Sequence, residues 1–237
     1  MHLDDRDSLR ISVAREIEPV VTRLFEEEIR RGQTVLDIGA NIGYFTLLLA
    51  RGVGPGGRVY AFEPDTTNFE LLRRNVALNG YANVVPVPRA VWHETTTLRL
   101  YLSEDNAGDH RVFDSGEERR AISIEAVSID DYFGPSPPEV HAIKMDIQGA
   151  EQHALDGMSR LLAKNRQLLF VTEFWPAALQ RAGTSPRAFL EKLAALGFVP
   201  SLVEDRPERL APTTIDALLE RFTPENGDSA DLVWRRG

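Results

Sequence analysis

VLDIGANIGYFTLLLA, residues 35–50, decides how the rest of the chain is read. Val35-Leu36-Asp37-Ile38 is a short apolar run, the pattern of a strand covered on both faces. The chain then breaks at Gly39-Ala40-Asn41-Ile42-Gly43 and resumes as Tyr44 to Ala50, which reads as a helix. Strand, glycine turn and helix together present free backbone N–H groups to an anionic or polar ligand. Gly39 can take a backbone conformation barred to other residues, and Gly43 lets the helix sit close to the strand. The glycine spacing is not G-x-G-x-x-G, so a dinucleotide fingerprint is only half met.

A second apolar run, Arg58 to Phe62, ends at Glu63-Pro64. In nucleoside-binding α/β sheets an acid at the tip of the second strand accepts hydrogen bonds from a ribose. Glu63 stands where that acid is needed; read alone, it is a charged residue at a strand end.

Further strands are expected at Val84–Val87 with Ala90-Val91, at residues 140–145 and at 168–171, with helices between them. Thr67 and Glu70 read as a capping box for the helix that carries Phe69, Leu72 and Val76. The helix after Asp146 is expected to run from Glu151 through Leu162. Phe198–Val203 and Asp231–Arg235 read as the last strands, with a helix near Ile215–Phe222 between them. Strands alternating with helices imply a parallel sheet covered on both faces. Residues 1–31 read as a helical leader: Ser8 opens a short helix through Ile17, and Pro19 opens a second. Thr95–Leu102 and Ile122–Val127 alternate in polarity, so residues 95–133 read as an antiparallel hairpin insertion with a polar loop from Ser103 to His110. No repeat or second domain is apparent, so residues 1–237 are expected to form one domain.

Three motifs in this order, VLDIGANIGYFTLLLA, VYAFEPDTTNFELLRRNVALNG and IKMDIQGAEQHALDGM, resemble the FkbM-type family of S-adenosylmethionine-dependent methyltransferases. The resemblance runs from about Val35 to Phe198. It implies an α/β, Rossmann-like class I methyltransferase fold. That fold is a mostly parallel seven-stranded sheet with helices on both faces, its last two strands antiparallel, and the hairpin insertion built over the active site. The family usually has an acid where this chain has Gln148.

Ligands of open α/β sheets bind beyond the carboxyl ends of the strands. Those ends carry Asp37, Gly39 and Asn41, then Glu63, Asp146 and Glu173. Asp37, Gly39, Asn41, Gly43 and Tyr44 are the candidates for the amino-acid end of S-adenosylmethionine, Glu63 for its ribose, and Ala90, with Arg89 beside it, for its adenine. Asp146 is expected closest to the methyl group and the acceptor. If the acceptor is a hydroxyl, a base must take its proton. Asp146 and His110 are candidates, with Glu173 as a further catalytic residue. Asp146 and Glu173, with His110, form an alternative site for a divalent cation such as Mg that lowers the acceptor's pKa.

The resemblance implies O-methylation of a small-molecule hydroxyl, on a sugar or a natural product. The competing readings are a nucleotide-dependent oxidoreductase and a cofactor-binding module without catalysis. The acceptor and the oligomeric state are not written in the sequence. A net charge of −9 argues against a nucleic-acid partner. There is no cysteine, so disulfides and thiolate metal sites are excluded. No apolar run approaches the roughly 20 residues that span a bilayer. The start, MHLDDRDSLR, has no signal-peptide character. These features lead to the expectation of a cytoplasmic protein.

Overall fold

Successive residues of a strand face opposite sides of a sheet, and here that alternation separates two apolar cores. Val35, Ala142, Val171 and Val233 join one core; Leu36, Ile143, Phe170 and Trp234 join the other. The structure, a computed structural model, describes residues 1–4, 7, 17–114 and 116–237. The short helix expected from Ser8 lies outside the described residues.

In chain order the first half comprises α1 (Pro19–Glu28), β1 (Thr34–Ile38), α2 (Tyr44–Val53), β2 (Arg58–Phe62), α3 (Thr66–Leu78), β3 (Val84–Val87), β4 (Ala90–Val91), β5 (Thr96–Tyr101) and β6 (Ala121–Val127). The second half comprises α4 (Ile129–Phe133), β7 (Ala142–Met145), α5 (Glu151–Asp156), α6 (Ser159–Lys164), β8 (Leu168–Phe174), α7 (Pro176–Arg181), α8 (Pro186–Ala195), β9 (Val199–Asp205), β10 (Glu208–Pro212), α9 (Ile215–Arg221) and β11 (Ala230–Arg236). The main sheet has the order β10-β9-β11-β8-β7-β1-β2-β3. The run from β8 to β3 is parallel, and β11 enters antiparallel between β8 and β9. Side chains of α1, α2 and α3 cover one face; those of α5, α6, α8 and α9 cover the other.

Among the described residues the sheet has eight strands rather than the seven expected. The extra one is β10, which pairs with β9 as a hairpin at the sheet edge. Its residues, Glu208 to Pro212, are exposed or half-buried, so they carry no buried apolar pattern to reveal a strand.

Two local expectations are corrected. The cap of α3 is Asp65, not Thr67: its Oδ1 accepts from the backbone N–H groups of Thr67 (2.9 Å) and Asn68 (2.8 Å). Glu70 turns instead to Arg73 and Arg74. The helix expected from Glu151 through Leu162 is broken into α5 and α6 at Gly157. There the backbone passes so near the Trp92 carbonyl that a Cβ would lie 2.1 Å from its oxygen.

The insertion pairs β5 antiparallel with β6, and β4 adds to β6 in parallel. Ala90, Leu100, Ile124 and Ala126 form its own small core. This second sheet holds the Ser103–His110 loop at the carboxyl end of β1 and β2.

Candidate functional site

The turn after β1 builds the first wall. Gly39 has φ +83°, and a Cβ there would lie 1.9 Å from the backbone oxygen of Asp146. Only glycine lets the β1 turn and the end of β7 approach this closely. Asn41 also has a left-handed backbone, φ +50°. Its N–H donates to Glu63 Oε2 at 2.8 Å, and its side-chain Oδ1 accepts from Ile42 N–H at 2.6 Å. Gly43 stands at the start of α2 with φ +95° and Leu72 packed against it. It is a packing residue of the turn rather than part of the walls of the cavities described below.

Three cavities meet at this rim. The first is a cleft between the β1 turn and the insertion, lined by Gly39, Asn41, Glu63, Asn68, Ala90 and His110 among others. The second is a pocket under the turn, lined by Asp37, Gly39, Tyr44, Phe45, Lys144 and Glu18. The third is an open cavity of about 710 Å³ at the end of β8, β9 and β11, bounded by Glu18, Glu173, Asp205, Arg206, Arg221 and Asp231. That volume lies in the range of small-molecule sites. Asp146 is in the wall of all three.

Glu63 is buried at the back of the cleft. Its two oxygens accept from Asn41 N–H (2.8 Å) and Asp65 N–H (2.9 Å), each leaving a lone pair for a ligand. Burial pushes its pKa up to about 8, although both N–H groups work to lower it. The polar loop of the insertion closes the cleft from the other side. The Ala107 carbonyl accepts from Asn68 Nδ2 at 2.9 Å and from Asn41 Nδ2 at 3.5 Å. Next along the chain, Arg111 is buried, holds Asp109 with two hydrogen bonds (2.8 and 3.0 Å) and lies 4.9 Å over the Trp175 ring.

His110 sits in the cleft, on the side of Glu63 and Ala90, and not in the large cavity. Its Nδ1 accepts from Ser103 N–H at 3.1 Å, which places the proton of the neutral ring on Nε2. Burial lowers its pKa, with Asp65 and Asp109 partly offsetting that. A neutral ring whose lone pair is already used is a donor here, not a base.

Asp37 is buried, with Oδ2 held by Thr46 Oγ1 at 2.5 Å. Burial raises its pKa, and Lys144 and Thr46 oppose the rise. Lys144 lies 4.7 Å over the Phe45 ring and 3.3 Å from Asp146 Oδ2. Burial works to lower its pKa, but the charges of Asp146, Glu18 and Asp37 outweigh it and hold the ammonium firmly protonated.

Gln148 stands between the two acids expected to do chemistry. Its Nε2 donates to Asp146 Oδ1 at 2.8 Å and to Glu173 Oε2 at 3.0 Å. Burial, then the charge of Asp146, holds Glu173 well above the usual carboxylate range. The amide fills the gap that a divalent cation bridging these carboxylates would need. His110 is in another cavity, and no group of three or more His, Cys, Asp or Glu suited to a metal occurs among the described residues. The donor set therefore does not fit the Asp146–Glu173 cation site expected from sequence.

Three contributors were not singled out by sequence. Glu151 Oε1 accepts from Ile147 N–H (3.1 Å) and Gly149 N–H (3.2 Å), shaping the turn after β7. Asn68 gives no signal beyond its place in the first turn of α3. Glu18, before Pro19, reads only as the residue flanking a helix start.

The methyltransferase FkbM domain profile matches residues 37–200. A protein called methyltransferase 1 from Beauveria bassiana is 26% identical over 144 residues, covering 52% of this chain and 57% of the relative. Hexuronic acid methyltransferase AglP from Haloferax volcanii is 26% identical over 147 residues, covering 61% of this chain and 58% of the relative. The chain thus spans somewhat over half the length of the curated relatives it matches. Among solved structures, a SAM-dependent O-methyltransferase from Thermotoga maritima superposes with a TM-score of 0.51 at 15% identity, covering 97% of this chain and 70% of that one. At that identity the likeness speaks for the fold. No helix among the described residues is long and apolar enough to cross a membrane.

Proposed function

We propose, from the premise that this chain belongs to the methyltransferase FkbM domain family, that it moves a methyl group from S-adenosylmethionine to a hydroxyl of a small molecule. One observation carries the reading: Asp146 borders the cleft, the pocket under the turn and the large cavity at once. A transfer between two molecules needs a point where both sites meet, and alignment there supplies much of the rate.

In this reading the cleft takes the nucleoside, with Glu63 on the ribose hydroxyls and Ala90 against the adenine. The pocket lined by Asp37, Gly39 and Tyr44 takes the amino-acid tail. The large cavity takes the acceptor. The donor's sulfonium supplies the methyl group and the leaving group together. The acceptor oxygen forms the new bond to the methyl carbon, and its proton must leave. Glu173 faces the acceptor cavity and is the base we propose, because burial and Asp146 destabilise its ionised form and so raise its affinity for a proton. Asp146, held by Lys144 and Gln148, lies beside the sulfonium and orients it.

A sugar or another hydroxyl-rich molecule is the acceptor class we favour. The cavity is walled by carboxylates that can accept from hydroxyls. One relative is named for a hexuronic acid. Family membership does not favour the oxidoreductase alternative. We also propose that residues 1–237 act as one catalytic domain, with the insertion at 95–133 covering the donor.

Calorimetry with S-adenosylhomocysteine and with NAD tests the donor assignment; binding of NAD alone overturns it. Labelled donor with a panel of sugars and hydroxylated metabolites tests transfer. Tight binding of S-adenosylhomocysteine with no turnover on any acceptor would favour the non-catalytic module.

A further inference from the structure

Glu18 brings to this site a carboxylate oxygen that no donor among the described residues reaches. It precedes Pro19 with a left-handed backbone, φ +42°, and its side chain caps none of the N–H groups of α1. Its Oε2 is buried and has no hydrogen-bond partner among the described residues. A buried carboxylate oxygen without a donor is costly, and such cost persists where a ligand removes it. Glu18 lines the pocket under the β1 turn together with Asp37, Tyr44, Lys144 and Asp146.

Among the described residues the charges of that pocket do not balance. Three carboxylates, Glu18, Asp37 and Asp146, face it with one ammonium, Lys144. Lys144 gives one of its three N–H donors to Asp146, 3.3 Å away. Thr46 answers one oxygen of Asp37. Among the described residues nothing donates to Glu18 Oε2. A compact cation with several N–H donors would suit that oxygen.

Resting on the donor assignment above, we propose that Glu18 receives the α-ammonium group of the donor's amino-acid tail. An ammonium has three donors and no acceptor, which suits an oxygen that has only lone pairs to offer. The tail's carboxylate then has Lys144 within the same pocket. Burial raises the pKa of Glu18, Lys144 opposes that, and Asp146, Asp37 and Asp205 add to the rise. A bound ammonium reverses this disadvantage and keeps the side chain ionised. Glu18 is thus a binding residue supplied by the segment before α1, outside the three motifs.

The test compares two ligands by calorimetry, S-adenosylhomocysteine and methylthioadenosine, which shares the nucleoside but lacks the amino-acid tail. With Glu18→Gln, S-adenosylhomocysteine should bind roughly ten- to a hundredfold more weakly, the loss expected for a charged hydrogen bond. Methylthioadenosine should bind both proteins alike, and the thermal midpoint of the variant should show that it folds. If the variant binds S-adenosylhomocysteine within twofold of the parent, the proposal is overturned. Equal weakening of both ligands also overturns it, because the cleft rather than the tail was damaged. A raised acceptor KM with unchanged donor affinity would move Glu18 to the acceptor cavity. If the parent protein binds neither ligand, the donor assignment itself fails, an outcome distinct from the others.

Discussion

Gln148 donates from Nε2 to Glu173 Oε2 at 3.0 Å while the same amide nitrogen reaches Asp146 Oδ1 at 2.8 Å. One NH₂ group has two hydrogens, and here each acid takes one. The arrangement is held by a backbone that a non-glycine residue seldom adopts, φ +55°, at a cost of order 1–3 kcal/mol. The Gln148 amide therefore bridges the two carboxyl groups with a hydrogen bond to each. Gln148→Glu replaces two donated hydrogen bonds with a third carboxyl group crowded against Asp146 and Glu173. It should lower stability at pH 7 by roughly 1–3 kcal/mol. The third acid would have a raised pKa in the folded state, so the deficit is present at high pH and shrinks as pH falls and the group takes up a proton. Denaturant unfolding at pH 5 and pH 8 measures it; an equal deficit at both values would show that the deficit does not come from the added charge.

With the amide already between the carboxylates, methyl transfer should need no divalent cation. Activity in excess chelator should match activity with added magnesium or manganese. A loss on chelation that either metal restores would place a cation where Gln148 is described.

Glu173→Gln removes the proposed base but keeps a side chain of the same shape. Proton abstraction by a positioned group is worth about 10²–10⁴ in rate, so kcat should fall by that range while S-adenosylhomocysteine affinity stays within about twofold. In the parent protein kcat should rise with pH, because the group is held protonated above the ordinary carboxylate range and acts only when ionised. A variant that keeps the parent kcat would return the role to Asp146, for which Asp146→Asn is the matching measurement.

The parallel half of the sheet was legible because β1, β2, β7 and β8 are largely buried on both faces and read as mostly apolar runs. Asp37, Glu63, Asp146 and Glu173 were legible for a related reason: each is an acid at or near the end of such a run. β10 was not, since a surface edge strand leaves no apolar trace. The role of Gln148 was not legible either, because it depends on a distance across two strands. His110 shows the same limit. Its residue type suits a base, but the loop turns it toward the cleft and spends Nδ1 on Ser103. Glu18 gave no signal because the residues that share its pocket, Asp37, Lys144 and Asp146, are far away in sequence.

Gly39→Ala tests the close approach of β1 and β7. The new methyl would meet the Asp146 carbonyl at 1.9 Å in a backbone at φ +83°. The obstacle is backbone on both sides, so no side chain can swing away. A loss of about 3 kcal/mol or more is expected, which for a chain of this size is a fall in thermal midpoint of about 6–12 °C. Gly43→Ala is the comparison: a Cβ there meets only the tip of Leu72, at 2.7 Å. It carries its own backbone penalty but should leave donor affinity closer to that of the parent.

The last expectation concerns pH and Glu63. Its pKa is raised to about 8 in the free protein, chiefly by burial. Its contribution to stability is therefore complete below the ordinary carboxylate value and is lost as pH rises through about 8. Ribose hydroxyls donate to a carboxylate, so the donor binds the ionised form and binding releases a proton. Affinity for S-adenosylhomocysteine should then rise from pH 6 and level off above about pH 8. In buffers of different ionisation enthalpy, calorimetry at pH 7 should report proton release. Glu63→Gln should bind more weakly and lose both the slope and the buffer dependence. A flat profile in the parent protein would mean that Glu63 is already ionised before binding, and an inverted one that it donates its proton to the sugar.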